Sequence, residues 1–372
     1  MSHLPLLNHN VENNNYSKLK IIVSSIGQCV GGIGQAIFLP IFINTFSDNT
    51  NGSTGSYFVF FMMSALFIIP FGLLSLMDYY FFKTLTIDMI KSHLPTLIKM
   101  GICDAFNGLM VVYTVSLGRT RGDLQAVLLQ LMIPVTFLLS KIYTNINIFA
   151  PEYTESRVGI YLVLIGMIII SAPNIYSIFN NTDNLAKNII YPGIFTLAVI
   201  PGAFMNVIQH RIFNDKPNYN KNWMLLMESV FQFITAMCLF WVDFSVPYMK
   251  TSDSYDEFSD NFEFGFKCFF NPNDAGGKCN QSWVYGLLFA LSYCLSYWTS
   301  STIIQQASAN LSAMLSAIIA PIQMFVWYFS PDLNAKYGGD DYTHIEIILG
   351  IIGIIFILPG SFIYHRNEKL NS

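Results

Sequence analysis

Residues 93–143 read HLPTLIKMGICDAFNGLMVVYTVSLGRTRGDLQAVLLQLMIPVTFLLSKIY, and the fold follows from how this stretch is read. It divides into two apolar spans joined by the tight turn Gly118-Arg119-Thr120-Arg121-Gly122, with Asp104 in the middle of the first span and Gln130 and Pro134 inside the second. Each span is long enough to cross a hydrocarbon core ~30 Å thick as a helix. An ionised carboxylate at mid-bilayer costs roughly 2.5 kcal/mol or more, so a chain that carries one there uses it or pairs it.

Composition carries the same message across the whole chain. Of its 372 residues 53% are hydrophobic and only 11% charged, and the mean hydropathy is +0.46, whereas a soluble globular chain carries about 25% charge. The chain reads as an integral membrane protein. A net charge of -4 and the lack of any lysine-rich run leave no footprint for nucleic acid. Residues 1–20 form a polar, Asn-rich tail without the short apolar core and cleavage site of a signal peptide, so the first apolar span serves as the targeting signal.

Stretches of spanning length number about ten. They fall near 21–43, 57–77 (extendable to Phe82), 94–117, 123–143, 158–177, 188–209, 222–243, 282–304, 309–329 and 344–364. None alternates as a barrel strand does, and helices alone satisfy their own backbone in lipid, so the expected class is an all-α membrane protein. With the N-terminus inside, the inner segments collect Lys18, Lys20, Lys83, Lys91, Lys141, Arg157, Arg211, Lys216, Lys221, Arg366 and Lys369, against Arg119, Arg121, Lys187 and Lys336 in short outer loops. Both termini, including the tail 365–372, are then cytosolic. Asn-x-Ser/Thr triplets at Asn51, Asn180 and Asn280 fall in three outer loops and are glycosylation candidates, although similar triplets at Asn15 and Asn310 fall inside.

The outer loop 244–280 carries six acids interleaved with Phe258, Phe262, Phe264, Phe266, Phe269 and Phe270. That pattern suits an amphipathic segment on the membrane surface or over the mouth of a cavity, and equally a solvated loop with some apolar docking. An oxidising outer side predicts a disulfide between its two cysteines, Cys268 and Cys279. Cys29, Cys103, Cys238 and Cys294 lie within spans and read as small buried apolar residues rather than ligands.

The chain also repeats itself. Asp123-Leu124-Gln125-Ala126-Val127-Leu128, running on to Pro134, aligns with Asn310-Leu311-Ser312-Ala313-Met314-Leu315, running on to Pro321, with Leu, Ala, Leu and Pro at matching spacing. A five-helix unit inserted twice takes opposite orientations, the plan of secondary transporters with a site between the halves near the midplane. The halves are 21–177 and 188–364, enclosing a central cavity.

Cys103-Asp104-Ala105, Gly118-Arg119-Thr120-Arg121-Gly122-Asp123-Leu124-Gln125 and Leu128-Leu129-Gln130-Leu131-Met132-Ile133-Pro134 resemble the third and fourth helices of the chloroquine-resistance-transporter family, within the drug/metabolite transporter superfamily. Ile200-Pro201-x-x-Phe204-x-Asn206 resembles its sixth helix, Phe231-Gln232 its seventh, and Gly265-Phe266-Lys267-Cys268 with Cys279-x-x-x-Trp283 its lumenal cysteine loop. The resemblance implies a proton-coupled carrier in the membrane of an acidic digestive or lysosome-like vacuole. It would move peptides, amino acids, thiols or cationic amphiphilic drugs towards the cytosol and so serve vacuolar osmotic balance. The chain departs from the family in having two loop cysteines instead of four, in the neutral Ser296 and Gln305 where acids are expected, and in Glu228 at an apolar position.

Asp104 in a wet crevice can take a proton from an acidic lumen and release it to a neutral cytosol, coupling transport to the gradient; as a structural alternative it bonds Asn107 or Gln130. Glu228, near the inner end of its span where water can reach, is the second acid. Gln130, Asn206, Gln232 and Gln305 are amides at membrane depth, which either bond between helices or, with Asn107, line a polar cavity for a peptide-like solute. Pro134, Pro201 and Pro321 interrupt helices, and Gly27 with Gly31 permits close helix approach. At the outer turn, which includes Thr120, Arg119 and Arg121 either attract anionic groups of a solute or cap the turn and pair with Asp123.

No phosphate loop, His-Glu-x-x-His, Gly-x-Ser-x-Gly or metal-ligand spacing occurs, so no enzyme, cofactor or metal is expected. The partners are a small solute, protons and lipid. A nucleotide-sugar or phosphate-ester exchanger of the same superfamily is the rival, but requires cationic side chains at the midplane. A membrane-embedded enzyme would have only Asp104 with Glu228 as a catalytic pair.

Overall fold

The computed structural model describes residues 4–48, 52–53, 55–116, 119–144, 150–180, 189–272, 277–330 and 343–371. The chain is helical almost throughout: α1 (Leu4–Asn44), α2 (Ser56–Met77), α3 (Ile87–Lys91), α4 (Leu94–Val115), α5 (Gly122–Leu129), α6 (Met132–Thr144), α7 (Thr154–Asn180), α8 (Tyr191–Asp215), α9 (Lys221–Cys238), α10 (Val242–Ser245), α11 (Tyr255–Phe270), α12 (Ser282–Gln306), α13 (Ala309–Phe329) and α14 (His344–Asn371). Among the described residues the β structure is one two-residue pairing, Ser47–Asp48 with Gly52–Ser53.

Among the described residues, eight helical segments are long and apolar enough to cross a membrane: Lys18–Asn44, Ser56–Phe82, Leu94–Val115, Leu124–Ile142, Thr154–Pro173, Tyr191–Asp215, Cys279–Gln306 and His344–Tyr364. The chain is thus an all-α membrane protein. Expected spans 222–243 and 309–329 are also long helices, α9 and α13, packed into the same bundle, but neither is among the eight. In α9 the polar Lys221, Asn222, Glu228 and Gln232 dilute the apolar character.

Two boundaries differ from the sequence expectation. α1 begins at Leu4, inside the segment read as a polar tail. No Gly or Pro occurs from Leu6 to Ile26, so nothing stops the helix from extending outward from its apolar part. The expected span 123–143 is split into α5 and α6. Pro134 lacks an N–H for the Gln130 carbonyl, which instead accepts from Ile133 N at 3.1 Å, tightening the chain just before the proline. α8 and α13 run unbroken through Pro201 and Pro321.

The bundle is assembled from close helix pairs. α14 lies along α7, α1 along α12, α4 against both α8 and α9, and α2 against α9. Glycines permit the tightest approaches: a Cβ on Gly159 would come 2.6 Å from the Gly360 carbonyl, and one on Gly166 2.6 Å from the Gly353 carbonyl. At one end of the bundle α11 is a surface helix, N-capped by Ser254, whose Phe258, Phe262, Phe266 and Phe269 form one face. These rings pack on Tyr57 and Phe58 of α2 at centroid distances of 5.1–6.3 Å. The aromatic-acidic segment α11 therefore docks on the bundle with its acids Asp256, Glu257, Asp260 and Glu263 exposed. The Cys268–Cys279 disulfide ties the end of α11 to the turn before α12.

Candidate functional site

A cavity of ≈ 270 Å³ lies inside the bundle. The lining parts of α4 (Asp104–Val115), α8 (Phe195–Asn206) and α12 (Phe289–Ser300) lie towards the α11 end or the middle of each helix. Towards the opposite end, Leu97, Met100, Ile208, Ile212, Met224 and Ile304 close into a buried apolar cluster. The wall of α4 is built by helical spacing: Asp104, Asn107, Gly108, Val111, Val112 and Val115 recur at intervals of three and four.

Asp104 is 3% exposed and is the one charged side chain among the described residues lining the cavity. Its partners are two tyrosines of α12 rather than Asn107 or Gln130. Tyr293 Oη donates to Oδ1 and Oδ2 at 3.2 and 3.1 Å, and Tyr297 Oη lies 3.3 Å from Oδ1. Tyr297 Oη is also 3.3 Å from Met205 Sδ, so its single proton chooses between them. The two rings stack at 4.5 Å, and Tyr293 stacks in turn on Phe67 at 3.9 Å. One helix turn separates Phe289, Tyr293 and Tyr297, a spacing that marks an aromatic stripe on one helix face and that the sequence reading passed over.

The structure divides the other expected lining residues. Asn107, Asn206 and Gln232 line the cavity. Asn107 Nδ2 donates to the Ala198 carbonyl at 2.8 Å, and Asn206 Nδ2 sits 4.0 Å from Met132 Sδ. Gln130 is buried at the break between α5 and α6, outside the lining set. Gln305 points away, its Nε2 bonding the Pro217 and Tyr219 carbonyls at 3.2 Å. Glu228 also lies outside the lining set and, contrary to the expectation of water access, is 1% exposed. Its Oε2 accepts from Gln209 Nε2 at 3.3 Å. It is nevertheless a neighbour of the α4 wall, because a Cβ on Gly101 would lie 2.8 Å from the Glu228 carbonyl.

The side chain of Asp123, the partner expected for the arginines of the turn between α4 and α5, lies outside the described residues. Arg121 Nη1 pairs with Glu346 Oε1 of α14 at 2.6 Å. Arg119 donates to the Tyr113 carbonyl at 3.1 Å and lies over the Tyr191 ring at 5.0 Å. Thr120 is buried, and its carbonyl accepts from Gln125 Nε2 at 2.6 Å. Asn51 and residues 181–182 lie outside the described residues, as does the side chain of Asn180, while Asn280 is exposed.

Sequence reading passed over an acid with a structural role. Asp243 is 1% exposed and accepts from Tyr113 Oη at 2.5 Å, Thr251 Oγ1 at 2.7 Å and Ser252 Oγ at 2.7 Å. It ties α4 to the loop before α11. Cys238 is exposed rather than buried, whereas Cys294 is buried, and all four cysteines outside the disulfide are free.

Comparison with known proteins adds a lineage to this geometry. The chain is 24% identical over 271 residues to the chloroquine resistance transporter of Plasmodium falciparum, covering 68% of this chain and 59% of that one. It is 22% identical over 300 residues to Crt homolog 2 of Dictyostelium discoideum, covering 73% and 59%. The matched region thus spans about three fifths of the length of these relatives. Residues 21–364 match the model of the CRT-like family, described as chloroquine-resistance transporter-like, and the chain belongs to that family.

Proposed function

We propose that this protein is a proton-coupled secondary carrier that moves small solutes, such as peptides, amino acids or thiols, with drugs as further cargo, across an acidic vacuolar membrane towards the cytosol. Both termini then face the cytosol, and α11 faces the lumen. The observation that carries the reading is Asp104: a single carboxylate, with no lysine or arginine among the described lining residues, set in the wall of an internal cavity. Two tyrosine hydroxyls hold it there, where it can exchange a proton or meet a cationic group of the solute. Glu228, close by on α9, is the second acid of the coupling path.

The carrier has about ten spanning helices in two inverted halves. The packing supports this, because partners exchange under a shift of five spans: α1 with α12 becomes α8 with α4, while α2 with α9 and α7 with α14 map onto themselves. A phosphate-ester exchanger would need cationic side chains in the lining, and the described lining residues include none. An enzyme using Asp104 with Glu228 would need both in one cavity, and only Asp104 lines it.

The test is uptake of peptides, basic amino acids and glutathione into sealed proteoliposomes under an imposed pH gradient, comparing wild type with Asp104→Asn. The variant is expected to fold and lose the pH dependence of uptake. An unchanged pH profile would reject Asp104 as the coupling residue, and substrate turnover without a sealed compartment would reject the carrier.

A further inference from the structure

Near the α11 end of the bundle an open groove of ≈ 670 Å³ runs between α2 and α12. α2 packs chiefly against α9 and α12 chiefly against α1, so neither presents its main packing face to the other. Met62, Ala65, Leu66 and Ile69 form the α2 wall at intervals of three and four, and Trp283 and Leu287, one turn apart, form the α12 wall. Phe269, Phe270 and Pro272, at and just after the end of α11, make the third wall. The described lining carries no charged side chain, hydroxyl or amide. The groove is separate from the central cavity, which lies on the other face of the same two helices, where Phe67 stacks on Tyr293 at 3.9 Å.

The third wall is fixed in place by several ties. Cys268 is bonded to Cys279, and Ser282 Oγ donates to the Cys268 carbonyl at 2.6 Å. Phe269 is pressed onto α12, where a Cβ on Gly286 would come 2.7 Å from its ring.

What fills the groove follows from where it lies. It falls within the spanning segments Ser56–Phe82 and Cys279–Gln306, and it runs on into the exposed apolar faces of Leu73 and Leu76 on α2 and Leu288 and Leu291 on α12. Lipid tails are as apolar as leucine, so in a membrane the choice between apolar surfaces is made by van der Waals packing. A hydrocarbon chain on a convex helix face meets protein on one side. In this groove it meets protein on three, and an unfilled gap would forfeit those contacts.

We propose that the groove is a specific binding site for one acyl chain of a membrane lipid, drawn from the leaflet on the α11 side. The headgroup sits at the rim, where Phe270 and Trp283 are 63% and 47% exposed and where an indole suits the boundary between membrane and water. The chain runs inward from Met62 to Ile69, about 10 Å along α2 at 1.5 Å per residue. Ala65, the smallest side chain of the lining, gives the groove its depth. By filling the gap, the chain braces α2 against α12 behind the Phe67–Tyr293 stack.

The experiment uses the purified full chain in detergent with limiting amounts of a phosphatidylcholine that carries a diazirine midway along one acyl chain. After illumination, the cross-linked residues are located by peptide mass spectrometry. Wild type is expected to carry adducts on residues 62–69 and 283–287 about fivefold more often than on the exposed α7 face at Tyr161, Ile165 and Ile168, the scale of roughly ten additional atom contacts. Excess unlabelled phosphatidylcholine should remove the groove adducts before those on α7. Ala65→Phe, which fills the groove, should cut its adducts to the α7 level and leave the α7 adducts unchanged. Should Ala65→Phe fail to fold, Leu287→Phe, which fills the groove from α12, should do the same. Equal labelling of groove and α7 face in wild type would mean an annular lipid only and would overturn the site. So would groove labelling that survives the filling variants, or no labelling of the groove at all. The readout is the position of a lipid and not transport, so its failure leaves the carrier reading untouched.

Discussion

At the scale of single residues, polar side chains in this protein are divided between holding helices and facing the cavity. Asp243 is saturated by three hydroxyls and reads as a structural knot. Asp104 has tyrosine hydroxyls on a cavity wall, an arrangement that can give way to a solute. Outside the spans, His93 starts α4 in the left-handed region at φ 61° and packs edge-on against Tyr219. Burial, and then the nearby Lys216, hold its imidazole below the usual value. The folded state thus binds this proton less readily than the unfolded chain. The contribution of His93 to stability is full above about pH 6.5 and falls as acid protonates the unfolded form. Acidification from pH 7.5 to 5.5 should therefore lower the unfolding temperature of wild type more than that of His93→Gln. An identical drop in both would show that His93 does not contribute.

At the scale of elements, two devices shape the bundle. The break at Gln130–Leu131 lets α5 and α6 change course where Pro134 removes a donor. The glycines of α7 and α14 let two helices touch backbone to backbone, with a Cβ on Gly353 only 2.7 Å from the Gly166 carbonyl. Gly353→Leu should overpack this seam and lower stability by about 1–3 kcal/mol, read as a fall in unfolding temperature in detergent. A variant as stable as wild type would mean that α7 and α14 can separate without loss. The surface helix α11 owes its docking to aromatic spacing, since Phe258, Phe262 and Phe266 recur every four residues while its acids fall on the other face.

At the scale of the molecule, packed apolar clusters flank the cavity. One, at the α11 end, includes Phe42, Phe58 and Phe269, and the other includes Leu97, Ile208 and Met224. Beyond them, the Arg121–Glu346 pair links the turn of the first proposed half to the start of the last helix, with both side chains 13–14% exposed. Glu346 Oε2 also accepts from Thr343 N and Oγ1 at 2.7 and 2.9 Å, which fixes its position. Glu346→Gln should reduce stability by about 2 kcal/mol, the scale of a charge-assisted hydrogen bond. Restoration by the double exchange Arg121→Glu with Glu346→Arg would identify the pair, and a lack of effect in the single variant would show that it carries nothing.

By itself the sequence determined the membrane class, most of the helices and the acid at the centre, because runs of apolar residues and one misplaced charge are local properties of a chain in lipid. The motifs at Asp104 and the α4–α5 turn likewise carried the lineage. Only the tertiary structure decided which amides face the cavity. Gln130 and Gln305 look like Gln232 in a linear reading, yet one is buried at the helix break, one bonds a loop, and one lines the wall. It also decided that Asp104 meets Tyr293 and Tyr297, about 190 residues downstream. The reason is geometric: helix periodicity fixes which side chains share a face, but the rotation of each helix against its neighbours is set by packing between segments far apart in the chain.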